Sequence, residues 1–291
     1  MRYALDPAMP VLLRPDGAVQ IGWDPRRAVL VRPPRGLSPG GLAALLREMS
    51  APISATELRR TAGRQLCEPA ELDCLLAELV SAGVMQPAGP SRSPARALSV
   101  RVHGGGPLSG LLADGLRCSG ARVSRSTQSA GAVAGVDLVV LADNLAADPR
   151  LVRDLHGAGV AHLPVRMRDG AGVVGPLVIP GVSSCLRCVD LYRTDRDPAW
   201  PALAAQLREV VGVADRPALL ATVGVALSQV SQIIAAVRAC GSGAPVPAPP
   251  ATLNATIEVD VAAQRITARR WVRHPLCGCW PGVGSSENVW M

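Results

Sequence analysis

Four cysteines in two close pairs are the residues of this chain best placed to do chemistry. Cys185 and Cys188 are separated by Leu186 and Arg187, and Cys277 and Cys279 by Gly278 alone. Two such pairs supply the four thiolates that a structural zinc ion takes in a tetrahedron, at about 2.3 Å per Zn–S bond. Each pair is short enough to wrap a tight turn, and Pro275 and Gly278 favour a sharp one at the second. Four protein ligands leave no open position for water, so the expected Zn2+ is structural and not catalytic. Disulfides or a redox pair are the competing reading. Disulfides need an oxidising compartment, and the N-terminal residues lack the apolar stretch of a secretory signal. His274 is read as a neighbour of the site, with replacement of one cysteine as a ligand the other reading. The remaining cysteines, Cys67, Cys74, Cys118 and Cys240, are solitary in apolar or helical surroundings and are expected to behave as small buried hydrophobes.

A second candidate is the glycine-rich turn Gly104-Gly-Gly106-Pro-Leu-Ser-Gly110. Between a strand and a helix, such a turn lets backbone N–H groups at the helix start meet a phosphate. Here the spacing is one residue longer than the usual dinucleotide fingerprint, and Pro107 removes one N–H. Ser124-Arg-Ser-Thr127 stands where an acidic ribose ligand is expected. Glycines that serve packing alone are the other reading. Asp143-Asn144 follows the apolar run 136–141, where Asp143 is either a polar site residue or a helix cap.

The elements that must position these residues fall into two expected domains. Residues 1–88 carry one pattern, 89–96 read as a Pro- and Ser-rich linker, and 97–291 carry another. In the first, short strands at 10–13, 18–21 and 28–32 precede three helices. Ser38-Pro39 opens one helix, the capping box Ser54-Ala-Thr-Glu57 the next, and Glu68-Pro69 the third. Leu72, Leu75, Leu76, Leu79 and Val80 form an apolar stripe on that third helix, and 84–86 form a closing strand. A small sheet with three helices resembles a winged helix. In the second domain, strands at 98–102, from 120, at 136–141 and at 160–164 alternate with helices at 108–118 and 150–158, a doubly wound α/β pattern. Helices at 201–211 and 217–238, a loop at 241–250, and strands at 252–261 and 264–272 lead to the second cysteine pair.

Composition excludes more than it assigns. The chain has 291 residues, 48% of them hydrophobic, enough for two cores. Ser228, Gln229, Ser231 and Gln232 interrupt the most apolar run, so it reads as a buried helix rather than a membrane span, and the protein as cytoplasmic. Every basic residue other than histidine is arginine, and there is no lysine and no phenylalanine. The net charge of +7 is scattered along the chain and few aromatics are present, so nucleic acid is not the expected partner.

Several of these pieces converge on one family. Gly175-Pro-Leu-Val-Ile-Pro-Gly181 precedes the first cysteine pair, and Asp143-Asn144 lies upstream. With the glycine-rich turn and the Cys277-Gly-Cys279 ending, residues 97–280 resemble the ThiF/MoeB superfamily, the ubiquitin-activating-like fold, with its four-cysteine zinc site. Residues 1–88 are similar to the PqqD-like leader-peptide recognition module. Together they look like the ocin-ThiF or cyclodehydratase partner proteins of azoline-forming peptide biosynthesis. Adenylating members of the superfamily place a lysine near the nucleotide phosphates and an aspartate on magnesium. Asp143 matches that aspartate, but no lysine exists anywhere in the chain, and arginine differs from lysine in shape and reach.

The resemblance therefore implies a Rossmann-like fold with structural zinc, a vestigial nucleotide site at Gly104, Gly106, Gly110 and Asp143, and no use of ATP or Mg2+. The implied function is to hold the leader of a precursor peptide for a separate YcaO-type enzyme. Strand addition along Val29, Leu30 and Val31 is the expected binding mode, beside the third helix; packing in the core is the competing role for these residues. The family often forms homodimers. Two other functions remain open. One is an ATP-dependent adenylyltransferase acting on a C-terminal carboxylate. The other is a winged-helix DNA-binding regulator using Arg59, Arg60 and Arg64.

Overall fold

The computed structural model describes residues 2–63, 68–88, 97–128, 135–242 and 248–279, without the side chains of 86–88, 238 and 240–242. The chain divides into two compact units, Met1–Pro94 and Ala95–Met291. The expected linker at 89–96, together with Arg64 and Cys67, lies outside the described residues.

In the first unit, strands β1 (Arg2–Leu5), β2 (Val11–Leu13), β3 (Val19–Ile21) and β4 (Val29–Val31) precede helix α1 (Pro39–Glu48). Then come β5 (Ile53–Ser54), α2 (Ala55–Gly63), α3 (Pro69–Ser81) and β6 (Met85–Ala88). The helix starts follow local chemistry. Ser38 Oγ accepts the Gly41 N–H at 3.0 Å. Ser54 and Glu57 form a reciprocal box, with Ser54 N–H donating to Glu57 at 3.1 Å and Glu57 N–H to Ser54 Oγ at 3.2 Å. Leu72, Leu75, Leu76 and Leu79 of α3 are buried with Leu42, Leu45 and Leu46 of α1 in one core. Instead of one small sheet there are two, ordered β5-β1-β6 and β2-β3-β4. The first depends on β1, whose pairing with β6 joins segments some 80 residues apart. No local turn signal announces a partner so remote.

The second unit is a seven-stranded sheet of order β13-β12-β11-β10-β9-β7-β8. Its chain order is β7 (Ser99–His103), α4 (Pro107–Cys118), β8 (Arg122–Ser126), β9 (Leu138–Ala142), α5 (Pro149–Gly157), β10 (Ala161–Arg168) and β11 (Ala171–Val174). There follow α6 (Leu186–Thr194), α7 (Trp200–Leu207), α8 (Arg216–Ser242), β12 (Ala255–Asp260) and β13 (Arg265–Arg270). Strands β8, β7, β9 and β10 run parallel, and β11, β12 and β13 extend the sheet antiparallel. Strand β9 is buried along its whole length, as a strand covered on both faces must be. Leu138, Val140 and Ala142 face the core containing α4 and α8, while Val139 and Leu141 face the core containing α5 and the cysteines.

Helix α8 is long and apolar enough to cross a membrane by composition. Here its Leu219, Val223, Ala226, Val230 and Ile234 pack into the sheet core. It continues through Ser242, past the start of the expected loop at 241. Cys74 and Cys118 lie on α3 and α4 but are exposed rather than buried, because each falls on the outward side of its amphipathic helix.

Candidate functional site

The two cysteine pairs, 92 residues apart in sequence, meet on the face of the sheet opposite α8. Cys185 caps the N-terminus of α6 and Cys188 lies in its first turn, so the first pair is a helix start rather than a free turn. The second pair sits in a turn closed by the Cys277 N–H donating to the His274 carbonyl at 3.0 Å. Sγ of Cys185 lies 3.8 Å from that of Cys188 and 3.6 Å from that of Cys277, and Cys188 Sγ lies 3.6 Å from that of Cys279. All four sulfurs fall within 4.8 Å of one another. Disulfide bonding would bring two of them to about 2.05 Å. Four ligands at about 2.3 Å from a common tetrahedral centre stand about 3.8 Å apart. The cluster therefore has the shape of a metal site, and its donor set fits a thiophilic ion such as zinc.

Its surroundings fit as well. Burial pushes the Cys185 thiol far up and the Cys279 thiol to about 11. Burial opposes ionisation of Cys188 too, but backbone hydrogen bonds from His274 and Cys185 hold it below its ordinary value. Several buried thiolates repel one another, and a bound dication removes that cost. His274 is a neighbour, as its sequence position suggests. Its Nδ1 accepts the Leu276 N–H at 3.1 Å, so Nε2 carries the proton and donates to Asp195 at 2.9 Å. From α5, His156 Nε2 donates to the Cys279 carbonyl at 3.0 Å and ties the second pair to the sheet layer.

The glycine-rich turn has a different occupant. Asp143 is fully buried and follows β9 with a φ of 74°, a backbone that aspartate tolerates better than most residues. Its Oδ2 accepts the Gly106 N–H at 2.7 Å and its Oδ1 the Leu108 N–H at 2.8 Å. The carboxylate thus caps α4 from 35 and 37 residues away, and Pro107 between them has no N–H. A side chain at Gly104 or Gly106 would place its Cβ 2.7 Å from the Asp143 carboxyl. These glycines admit the aspartate. Gly110 lies within α4 with open space around it.

The helix expected at 201–211 ends at Leu207, and the residues after it leave the helix to cover the same end of the sheet, where backbone groups after β9 take up their hydrogen bonds. Leu145 N–H donates to the Val210 carbonyl at 3.0 Å, Gly212 N–H to the Asp143 carbonyl at 3.1 Å, and Asn144 Nδ2 to the Arg208 carbonyl at 2.7 Å. Residues 207–212 thereby pair with the chain just after β9, and Val211 packs over Gly106. Apolar Val210, Val211 and Val213 carried no signal of such docking.

In the first unit, β4 pairs only with β3 among the described residues. Val31 is buried, Val29 is partly buried, and Leu30 is 59% exposed. The loop after β4 is fastened to α3 by the Arg35 N–H donating to Glu71 at 2.7 Å. On α2, Arg59 forms a forked ion pair with Asp73 of α3, with contacts of 3.0–3.2 Å.

No family model matches the chain, and no curated protein matches it. Solved structures do. A heterocyclase in complex with substrate and cofactor aligns with 96% of this chain at 15% identity and a TM-score of 0.68. The heterocyclase TruD aligns at 15% identity with a TM-score of 0.66. The chain spans 39% and 43% of the length of those two structures. E. coli MccB, solved with AMPCPP and selenomethionine MccA, aligns over 97% of this chain and its own whole length, at 13% identity and a TM-score of 0.63. At these identities the likeness establishes a shared fold.

The Asp143 cap yields a direct expectation. Asp143→Ala should lower the unfolding free energy by about 2–3 kcal/mol, because two N–H groups at a buried helix start lose a charged acceptor. Urea denaturation measures it, and a change below about 0.5 kcal/mol would show that the cap is dispensable.

Proposed function

We propose that this chain is a peptide-holding partner protein in the biosynthesis of heterocycle-containing ribosomal peptides, with a ThiF/MoeB-type second domain and no adenylating activity of its own. The first domain, of winged-helix and PqqD-like type, takes the leader of a precursor peptide as an added strand, and a separate YcaO-type enzyme modifies the rest. The carrying observation is the β4 edge, with its ladder partner on one side and Leu30 turned outward. Strand addition needs such an edge: backbone hydrogen bonds give affinity and alternate side chains give specificity. The fold shared with heterocyclase structures supports the same reading.

The zinc assignment belongs to this proposal. Cys185, Cys188, Cys277 and Cys279 would hold Zn2+, which would supply folding free energy and fasten the second cysteine pair to α6. The loss of adenylation rests on two features: the absence of lysine and the engagement of both Asp143 oxygens by α4. The DNA-binding alternative is disfavoured, because Arg59 is already paired with Asp73.

Two measurements test the reading. Elemental analysis of purified protein should give about one zinc per chain, and Cys277→Ser should lose the metal and unfold the second unit at lower temperature. A folded, metal-loaded variant would refute the four-cysteine assignment. A fluorescent leader, synthesised from a candidate precursor peptide sought among the neighbouring genes, should bind, and Leu30→Asp should weaken it about tenfold or more with unchanged circular dichroism. Equal binding by both proteins would remove β4 from the role, and no binding by the wild type would remove the function.

A further inference from the structure

Arg166 lies in β10, between Val165 and Met167 of the sheet core, and its side chain points to the opposite face. It is 7% exposed, and among the described residues its guanidinium has no hydrogen bond and no ion pair. It lines two adjoining clefts, one of about 760 Å³ between α5, α6 and α7, the other of about 520 Å³ at the end of β9. Arg208 lines both as well. The larger cleft also carries Arg153, Arg187 and Arg193, against the single carboxylate of Asp190. That carboxylate is engaged by Arg193 at 3.4 Å and by Trp200 Nε1 at 3.1 Å.

The guanidinium is not sealed in the interior but opens onto these clefts, where a cation largely withdrawn from bulk water favours an anionic partner, and arginine does not relieve the cost by losing its proton near neutral pH. Burial, with Arg193 nearby, lowers its pKa only to about 10. No carboxylate among the described residues pairs with it, and the clefts onto which the guanidinium opens can admit an anion from solution. The walls narrow its chemistry. Val152, Pro149, Leu186, Val189, Pro201 and Ala204 make them mainly apolar, so the ligand carries an aliphatic body as well as a charged end. The planar fork of arginine matches a carboxylate in two parallel hydrogen bonds.

We propose that the cleft between α5, α6 and α7 is a binding site for an aliphatic carboxylate, whose anionic end pairs with Arg166. The site is independent of the peptide reading above, because it lies wholly within the second unit.

Hexanoate is a suitable probe, with hexanamide, acetate and inorganic phosphate as controls. Thermal unfolding of the purified full chain should shift upward with hexanoate concentration, more than with any control. Arg166→Met should unfold at the same or a higher temperature than wild type, since it removes a buried unpaired charge, and should bind hexanoate about tenfold more weakly or worse. A merely structural arginine would give the opposite stability change. Val152→Trp, which keeps the charge and narrows the cleft, should also lose the hexanoate shift. The proposal is overturned if hexanoate acts no better than hexanamide or phosphate, or if Val152→Trp or a folded Arg166→Met retains the full shift.

Discussion

The carboxylate of Asp143 organises the carboxyl end of the parallel strands. In an open α/β sheet this end is where ligands enter, and the first helix start is where phosphates bind. Here the helix start already holds an anion, contributed by the chain from the strand next to β7. The interaction settles several other features. The glycines at 104 and 106 must lack side chains for the aspartate to enter. Asp143 must adopt a left-handed backbone to aim its carboxylate. Its carbonyl then accepts from Gly212, which draws residues 207–212 across the crevice. One ion-to-dipole contact thus joins a glycine-rich turn, a strand end and a covering segment.

The opposite anchor is the cysteine cluster. The sheet is buried on both faces, and the face away from α8 has only short helices to cover it. Cys185, Cys188 and Cys277 belong to the same apolar cluster as Leu151 and Leu155 of α5. A metal there would fasten to α6 a C-terminal segment whose Val272 and Leu276 stay exposed. Between this anchor and the Asp143 surface lies Arg166, where the interior of the unit stays charged.

Much of this was legible in the sequence because it is local. The Ser38 cap, the Ser54–Glu57 box and the leucine stripe of α3 depend on neighbours within a few residues, and each appears where the pattern puts it. The cysteine spacing identified the four residues that converge. What escaped is set by pairing at long range. Strand β1 finds β6 only in the folded unit, and the segment 207–212 docks through backbone groups that no side-chain pattern reveals. Strand β11 did have a signal, Asp169-Gly170, whose positive φ values of 51° and 83° make the tight hairpin that this dipeptide favours. An arginine inside the apolar run of β10 was likewise visible, but only burial without a partner makes Arg166 informative.

On the proposed function the chain would hold its peptide without a nucleotide, with the Asp143 carboxylate standing at the helix start where open α/β sheets bind phosphates. Calorimetric titration of Mg·ATP into the purified protein tests this most directly. We expect no saturable heat into the millimolar range, and one-site micromolar binding would contradict the claim.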